Sequence, residues 1–500
     1  MTGISTDELH SLVSGSFVPT RLHMRLAGHE AEYPREGHVV IPNPEKEATA
    51  FHEHVHYLQT IMTVFGQCAW LTHRSVSAAL VTGWASLTAA TPHERRIPLG
   101  YAAKRGVAEL ANAFLLEKTA KEALTLGAAR HQLARPNATM DSLGLQLVQK
   151  PWLANPSIEL KGGEYHVQGI DVIEAHAAFL EAVYSALVNR VPFSKTLDPT
   201  VLPKRYWAIH LWFGNQVGGD GILAFPLVCD LALQGAWNDP PKTEEEWRAT
   251  HPAWRFIALT KALSQLPNEQ RPKSIDDLRE KYLALADRLA DTCGFERIID
   301  SLRKQLMRFN SGGPKLEFER TFVRAMQYRL KHPWCGANPF LDLSGWTDIQ
   351  KRFPVPLIEI EGVLRVTVGA PMRDRGADEN PPPILLEAIA ELHFQALAAQ
   401  ILGDHRDDKP CIRCGFAFYG IPNGCAFQRS GICNGLIDPK RKLPVPVEIA
   451  EDGNMTGCTF EMMMRASGTS TSRLDVDHSH RLPSIAELAK IEEKLRRDAP

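Results

Sequence analysis

Apolar side chains recur at intervals of three and four over most of the chain, and strict alternation is confined to a few short runs. Asn43, Pro44 and Glu45 read as a helix start: an amide cap, a proline at the first helical position and an acid in the first turn. The apolar positions that follow keep helical spacing, which predicts a helix running to about Gly66. A β-branched run before it, "GHVVIP" (37–42), reads as an edge strand, and the alanine- and leucine-rich stretch 102–133 as helix. "SIELKGGEYHVQ" (157–168) predicts a hairpin turning at Gly162–Gly163, after which Asp171 caps a strong helix over 172–190. Further helices are predicted at 203–215, 245–265, 275–309, 315–330 and 385–402, and the alternation of 356–369 predicts a second hairpin. No repeat of fixed period is present. One local echo is, since "IEAHAAFLEA" (173–182) and "LEAIAELHFQA" (386–396) share a Glu-Ala-x-Ala start.

This pattern predicts a mainly α fold with a small β component (α+β). Its expected divisions are a helical domain over 1–335, an α+β connecting region over 336–407, a cysteine module over 408–445 and a tail with a charged helix over 446–500. At 500 residues there is enough chain for two or three domains and a sizeable core. The net charge of −2 gives no global pull toward nucleic acid or acidic membranes, so neither is an expected partner. The most apolar run, "GILAFPLVCDLAL" (221–233), contains Asp230 and is too short to span a bilayer. The first residues show no basic-then-apolar leader, and a cytoplasmic location is the expected default.

Chemistry enters at "FHEHVHYLQT" (51–60). His52 and His56 are four apart, so on a helix they project from one face, one turn from each other. Two imidazoles so placed can grip one zinc ion, and Glu53, next to the first, can reach a water bound to that ion. Zinc acidifies such a water and the carboxylate takes its proton. His54 points to another face. Glu53 and His56 also have the Glu-x-x-His spacing of di-iron helix bundles, but no second such pair appears on a predicted helix. Against both stands the reading of a solvated helix rich in histidine.

"TAFHEHVHYL" (49–58) resembles the extended motif of the zincin metallopeptidases, with a threonine three before the first histidine and uncharged flanks. The resemblance is carried by the motif helix and one later helix, and the wider arrangement looks like a group of bacterial proteins. It implies His52 and His56 as zinc ligands and Glu53 as general base. It reaches only the superfamily, so no substrate comes with it beyond a peptide or protein.

A catalytic zinc wants a third protein ligand and an open position. Tyr57, Leu58 and Gln59 after His56 do not continue the metzincin pattern, whereas the gluzincin layout takes a glutamate from a later helix. Glu174 is the leading candidate, early in its helix among small residues (Ala175, Ala177, Ala178) that allow close approach. It could equally decorate a solvated first turn. Glu181 lies on the same face two turns along, roughly 10 Å away, too far to share one ion without strain. It could orient a ligand histidine, and Glu387 is a further alternative. Tyr57, His166, His176 and His210 could supply a hydrogen bond to a transition state.

Of nine cysteines, Cys68, Cys229, Cys293, Cys335 and Cys458 are isolated and read as reduced thiols. Cys411, Cys414, Cys425 and Cys433 fall together, and four thiolates around a tetrahedral ion are what a structural zinc site uses. That module would hold structure or present a surface to a protein partner. The basic run "DPKRKLP" (438–444) beside it lacks the aromatic interleaving of single-strand binders. The sequence thus leads to a zinc-dependent hydrolase of gluzincin type with a catalytic and a structural Zn2+. The alternative is a metal-stabilised interaction protein without turnover, acting in a larger bacterial assembly.

Overall fold

The computed structural model describes residues 15–18, 22–26, 44–71, 155–200, 202–236, 243–311, 317–336, 352–360 and 363–366. Two-residue strand pieces at 97–98, 437–438, 443–444, 448–449, 455–456 and 474–475 complete the described set. The described residues are mostly helical with few, short strands. Contacts divide the chain into two compact units. One comprises Met1–Pro19, Met24–Trp70 and Lys118–Val355, and the other Thr20–His23, Leu71–Glu117 and Pro356–Pro500.

The first unit is built around two helices, α1 (Pro44–Met62) and α2 (Gly169–Leu187), packed against each other, with β1 (Gly15–Val18) laid along α1. β2 (His23–Leu26) neighbours β1 in the same sheet. α1 starts at Pro44 as its sequence demands. It is not amphipathic in its central turn, because Phe51, His52, Glu53, His54 and Val55 are all buried. The helix expected to reach Gly66 bends at Thr63 and resumes over 64–71. The cause is tertiary: the Phe65 N–H leaves the helical ladder for the Leu233 carbonyl at 2.9 Å. Gly66 permits the bend, since a Cβ there would meet the Gln59 carbonyl oxygen at 2.5 Å.

Before α2, β3 (Ser157–Leu160) and β4 (Gly163–His166) form the expected antiparallel hairpin, with Ser157 opposite His166. Its turn lies at Lys161–Gly162, and Gly163, at φ 111°, opens β4. Asp171 is not the cap residue itself. It stands in the first turn of α2 and its carboxylate reaches back to the Gln168 N–H at 2.7 Å, while Tyr165 donates to it at 2.9 Å. Burial, only partly relieved by these two bonds, pushes its carboxyl up to about 6. The small residues Ala175, Ala177, Ala178 and Ala182 are buried and let neighbouring helices approach closely.

α3 (Lys204–Val217) packs on α2, and α4 (Phe225–Ala232) is buried at every residue, which is why the apolar run containing Asp230 is a core helix. The predicted 245–265 helix is two: α5 (Glu244–Thr250) and α6 (Pro252–Ser264). Pro252 cannot donate into a continuing helix, and His251 before it caps α6 by accepting the Ala253 N–H at 3.2 Å. The predicted 275–309 helix divides into α7 (Ile275–Cys293) and α8 (Ile298–Asn310), because Gly294 adopts a left-handed conformation, φ 68°. α9 (Glu317–Lys331) follows and packs on α8 and α1. Cys68, Cys229, Cys293 and Cys335 carry no disulfide.

In the second unit, β5 (Leu357–Ile360) pairs antiparallel with β6 (Val363–Val366), Leu357 opposite Val366, as the alternation predicts. The expectations for 37–42, 102–133, 385–402, 408–445 and the tail from 468 onward lie outside the described residues, apart from isolated strand pieces. No helix among the described residues is long and apolar enough to cross a membrane.

Candidate metal centre

α1 places His52 and His56 one turn apart, their rings 4.7 Å between centroids and nearly perpendicular. The two Nε2 atoms are 3.1 Å from each other. α2 brings Glu174 to the same point, its Oε2 lying 3.5 Å from His52 Nε2 and 3.3 Å from His56 Nε2. Two ligand atoms about 2.0–2.1 Å from a tetrahedral zinc stand about 3.3 Å apart. The three atoms are spaced as three ligands of one such ion would be, and among the described residues no fourth His, Cys, Asp or Glu joins the group.

The remaining hydrogen-bond partners decide how the two rings are turned. His52 Nδ1 is 2.9 Å from Glu181 Oε2, and His56 Nδ1 is 2.8 Å from Gln59 Oε1. Each of these oxygens accepts from its imidazole, so each Nδ1 carries a hydrogen and each Nε2 is the nitrogen turned toward the other ring and Glu174. The orientation of the Gln59 amide is set by its other end, where Nε2 donates to the Ile173 carbonyl at 3.0 Å. Two imidazole nitrogens and a carboxylate oxygen thus converge, a group that could hold a metal ion.

The local field favours positive charge at this point. Burial opposes charge on His52, but Glu174 and Glu181 outweigh it and hold the imidazole well above its usual range. His56 is likewise raised, with Glu174 overcoming burial. Burial alone would raise Glu174, yet His56 and His52 pull it far below the ordinary carboxylate range. Glu53 is 6% exposed, and burial raises it against the tempering effect of both histidines. Its Oε2 has no hydrogen-bond partner among the described residues. Gly15 of β1 lies on it, so close that a Cβ there would meet Glu53 Cγ at 2.9 Å and Oε1 at 3.0 Å.

His52, His56 and Glu174 therefore meet as the sequence suggests, with Glu53 buried near enough for both histidines to act on its carboxyl. Glu181 takes the orienting position at His52: one imidazole spans the distance between the two glutamates with its two nitrogens. Glu387, Cys411, Cys414, Cys425 and Cys433 lie outside the described residues. His54 does face elsewhere, packed 5.5 Å from the Tyr57 ring, and burial lowers it to about 3. The suggested transition-state donors all have other settings. Tyr57 is buried edge-on to Phe17, His166 bonds Ser157 on the exposed hairpin, His210 sits among Phe179, Phe193 and Phe225, and His176 lies behind Gln59.

Two residues near the centre had no assigned part. Gln59 is three residues past His56, a spacing that could have marked it as facing the same way. Tyr206, on α3, holds its ring 5.9 Å from that of His52, and burial with the nearby Glu174 raises its phenol. No spacing rule connects a residue of α3 to α1. Comparisons with protein-family models, with curated proteins and with solved structures find no match for this chain.

Proposed function

We propose that the chain is a zinc-dependent hydrolase, most simply a metallopeptidase of gluzincin type, with the ion held by His52, His56 and Glu174. The observation that carries the reading is the convergence of two imidazole nitrogens and a carboxylate oxygen at 3.1–3.5 Å, with Glu53 buried on the same helix. Two imidazoles, one carboxylate and an open fourth position form the donor set of a catalytic rather than a structural zinc. When bound, zinc supplies an acidified water and a polarised carbonyl. Glu181 and Gln59 hold the two imidazoles with their Nε2 atoms toward the ion. Glu53 is the base: its unpartnered Oε2 takes a proton and returns it to a leaving amine, and the burial that raises its pKa suits it to both transfers. The second zinc is proposed for Cys411, Cys414, Cys425 and Cys433.

The test is metal analysis together with hydrolysis of a mixed fluorogenic peptide library by the full chain and its Glu53→Gln variant. The expected result is zinc retained in both, with turnover falling by about 10²–10⁴-fold in the variant, the range lost with a general base. A wild type that takes up zinc at this site and hydrolyses nothing, or a variant that keeps full turnover, overturns the hydrolase reading.

A further inference from the structure

Gln59 is 5% exposed, carries no charge and touches two helices at once. Its Oε1 accepts from His56 Nδ1 at 2.8 Å, and its Nε2 reaches the Ile173 carbonyl at 3.0 Å and His176 Nδ1 at 3.2 Å. Ile173 immediately precedes Glu174. One amide therefore ties the helix that supplies two donor atoms to the residue next to the third. The same amide fixes which nitrogen of His56 is turned toward His52 and Glu174.

We propose that Gln59 is a positioning residue of the metal centre with two separable parts. Its oxygen sets the His56 tautomer, and its amino group adds stability to the packing of α2 on α1. The inference rests on the metal reading given above and adds to it. An amide suits both parts. A carboxylate could accept from His56 but would set oxygen against the Ile173 carbonyl, and an aliphatic side chain could do neither. His176 is fully buried and receives the second amide hydrogen, so the amide cannot flip without setting acceptor against acceptor at Ile173 and donor against donor at His56.

The experiment measures zinc affinity of the full chain by chelator competition, thermal unfolding, and the visible spectrum of the cobalt-substituted protein, for the wild type, Gln59→Leu and Gln59→Glu. Loss of a residue that orients a ligand histidine weakens metal binding about 10–100-fold. Gln59→Leu should show that loss and an altered cobalt spectrum. Gln59→Glu, which restores the acceptor, should keep zinc affinity and the wild-type spectrum while unfolding at lower temperature, because the tie to Ile173 is gone. A Leu variant with wild-type affinity overturns the proposal, and so does a folded Glu variant whose zinc affinity falls about 10-fold or more. Should Leu fail to fold, the Glu variant still decides. If the wild type takes no zinc at His52, His56 and Glu174, the metal reading itself fails, and this inference with it. Failure in the variants alone leaves the metal reading standing.

Discussion

Arg329 and Asp230 form an ion pair with no solvent exposure on either side chain. They meet beneath the end of the helix that carries His52 and His56. Arg329 also donates to the Met62 carbonyl, the last residue of α1, and Tyr282 donates to the same carboxylate. Gln234 bonds Asp230 Oδ1 at 3.1 Å. Four segments are thereby joined through one buried carboxylate and one guanidinium: α1, the end of α4, α7 and α9.

Removing one member of a buried pair leaves the other charged and unpaired, at a cost of about 3–5 kcal/mol. Arg329→Met should therefore destabilise the chain by about that amount, read as a lower urea midpoint. Because Met62 anchors α1, a limited loss of zinc affinity should accompany it. A variant as stable as the wild type would show that Tyr282 and Gln234 suffice to hold Asp230.

The two proposed metal sites share no ligand, so they should be lost separately. Metal analysis of the full chain should find two zinc ions. His56→Ala should lack one of them and Cys414→Ser the other, and the double variant should lack both. A single ion in the wild type, or the same ion lost in both variants, would remove the cysteine site.

His251 offers a test by pH. It is buried, its Nδ1 is occupied as the cap of α6, and burial lowers its pKa to about 3 from an ordinary 6.5. Between those values the unfolded chain binds a proton that the folded chain refuses. This contribution to stability is complete above about pH 6.5 and is lost as the pH falls toward 3. The slope for one such proton is at most about 1.4 kcal/mol per pH unit. His251→Asn keeps a capping acceptor and removes the titration. Its unfolding free energy, followed from pH 7 to 4, should fall less steeply than the wild type's. Parallel profiles would exclude His251 as a source of acid sensitivity.

Much of the helical architecture was readable from local features. The 3.6-residue period marked α1, α2, α3 and α9 to within a few residues, since a helix burying one face must repeat its apolar positions at that interval. The two hairpins followed from alternation and from Gly162–Gly163. The divisions at Pro252 and Gly294 were also written locally, in a residue that cannot continue a helix and one that readily takes positive φ, but periodicity running across both hid them. The bend at Thr63 had no such sign. It exists because Phe65 finds the Leu233 carbonyl, far along the chain.

The candidate centre divides in the same way. The spacing of His52 and His56 alone places them on one helical face, because the geometry of a single helix dictates it. Glu53 belongs to that local arrangement too. That Glu174 comes within 3.5 Å of both imidazoles, that Glu181 takes the far nitrogen of His52, and that Gln59 spans two helices are products of packing between α1 and α2. Backbone dihedrals are set by neighbours in sequence. The separation of two packed helices is set by the side chains they bury, and those of α2 include Ala175, Ala177, Ala178 and Ala182, small enough to allow close approach.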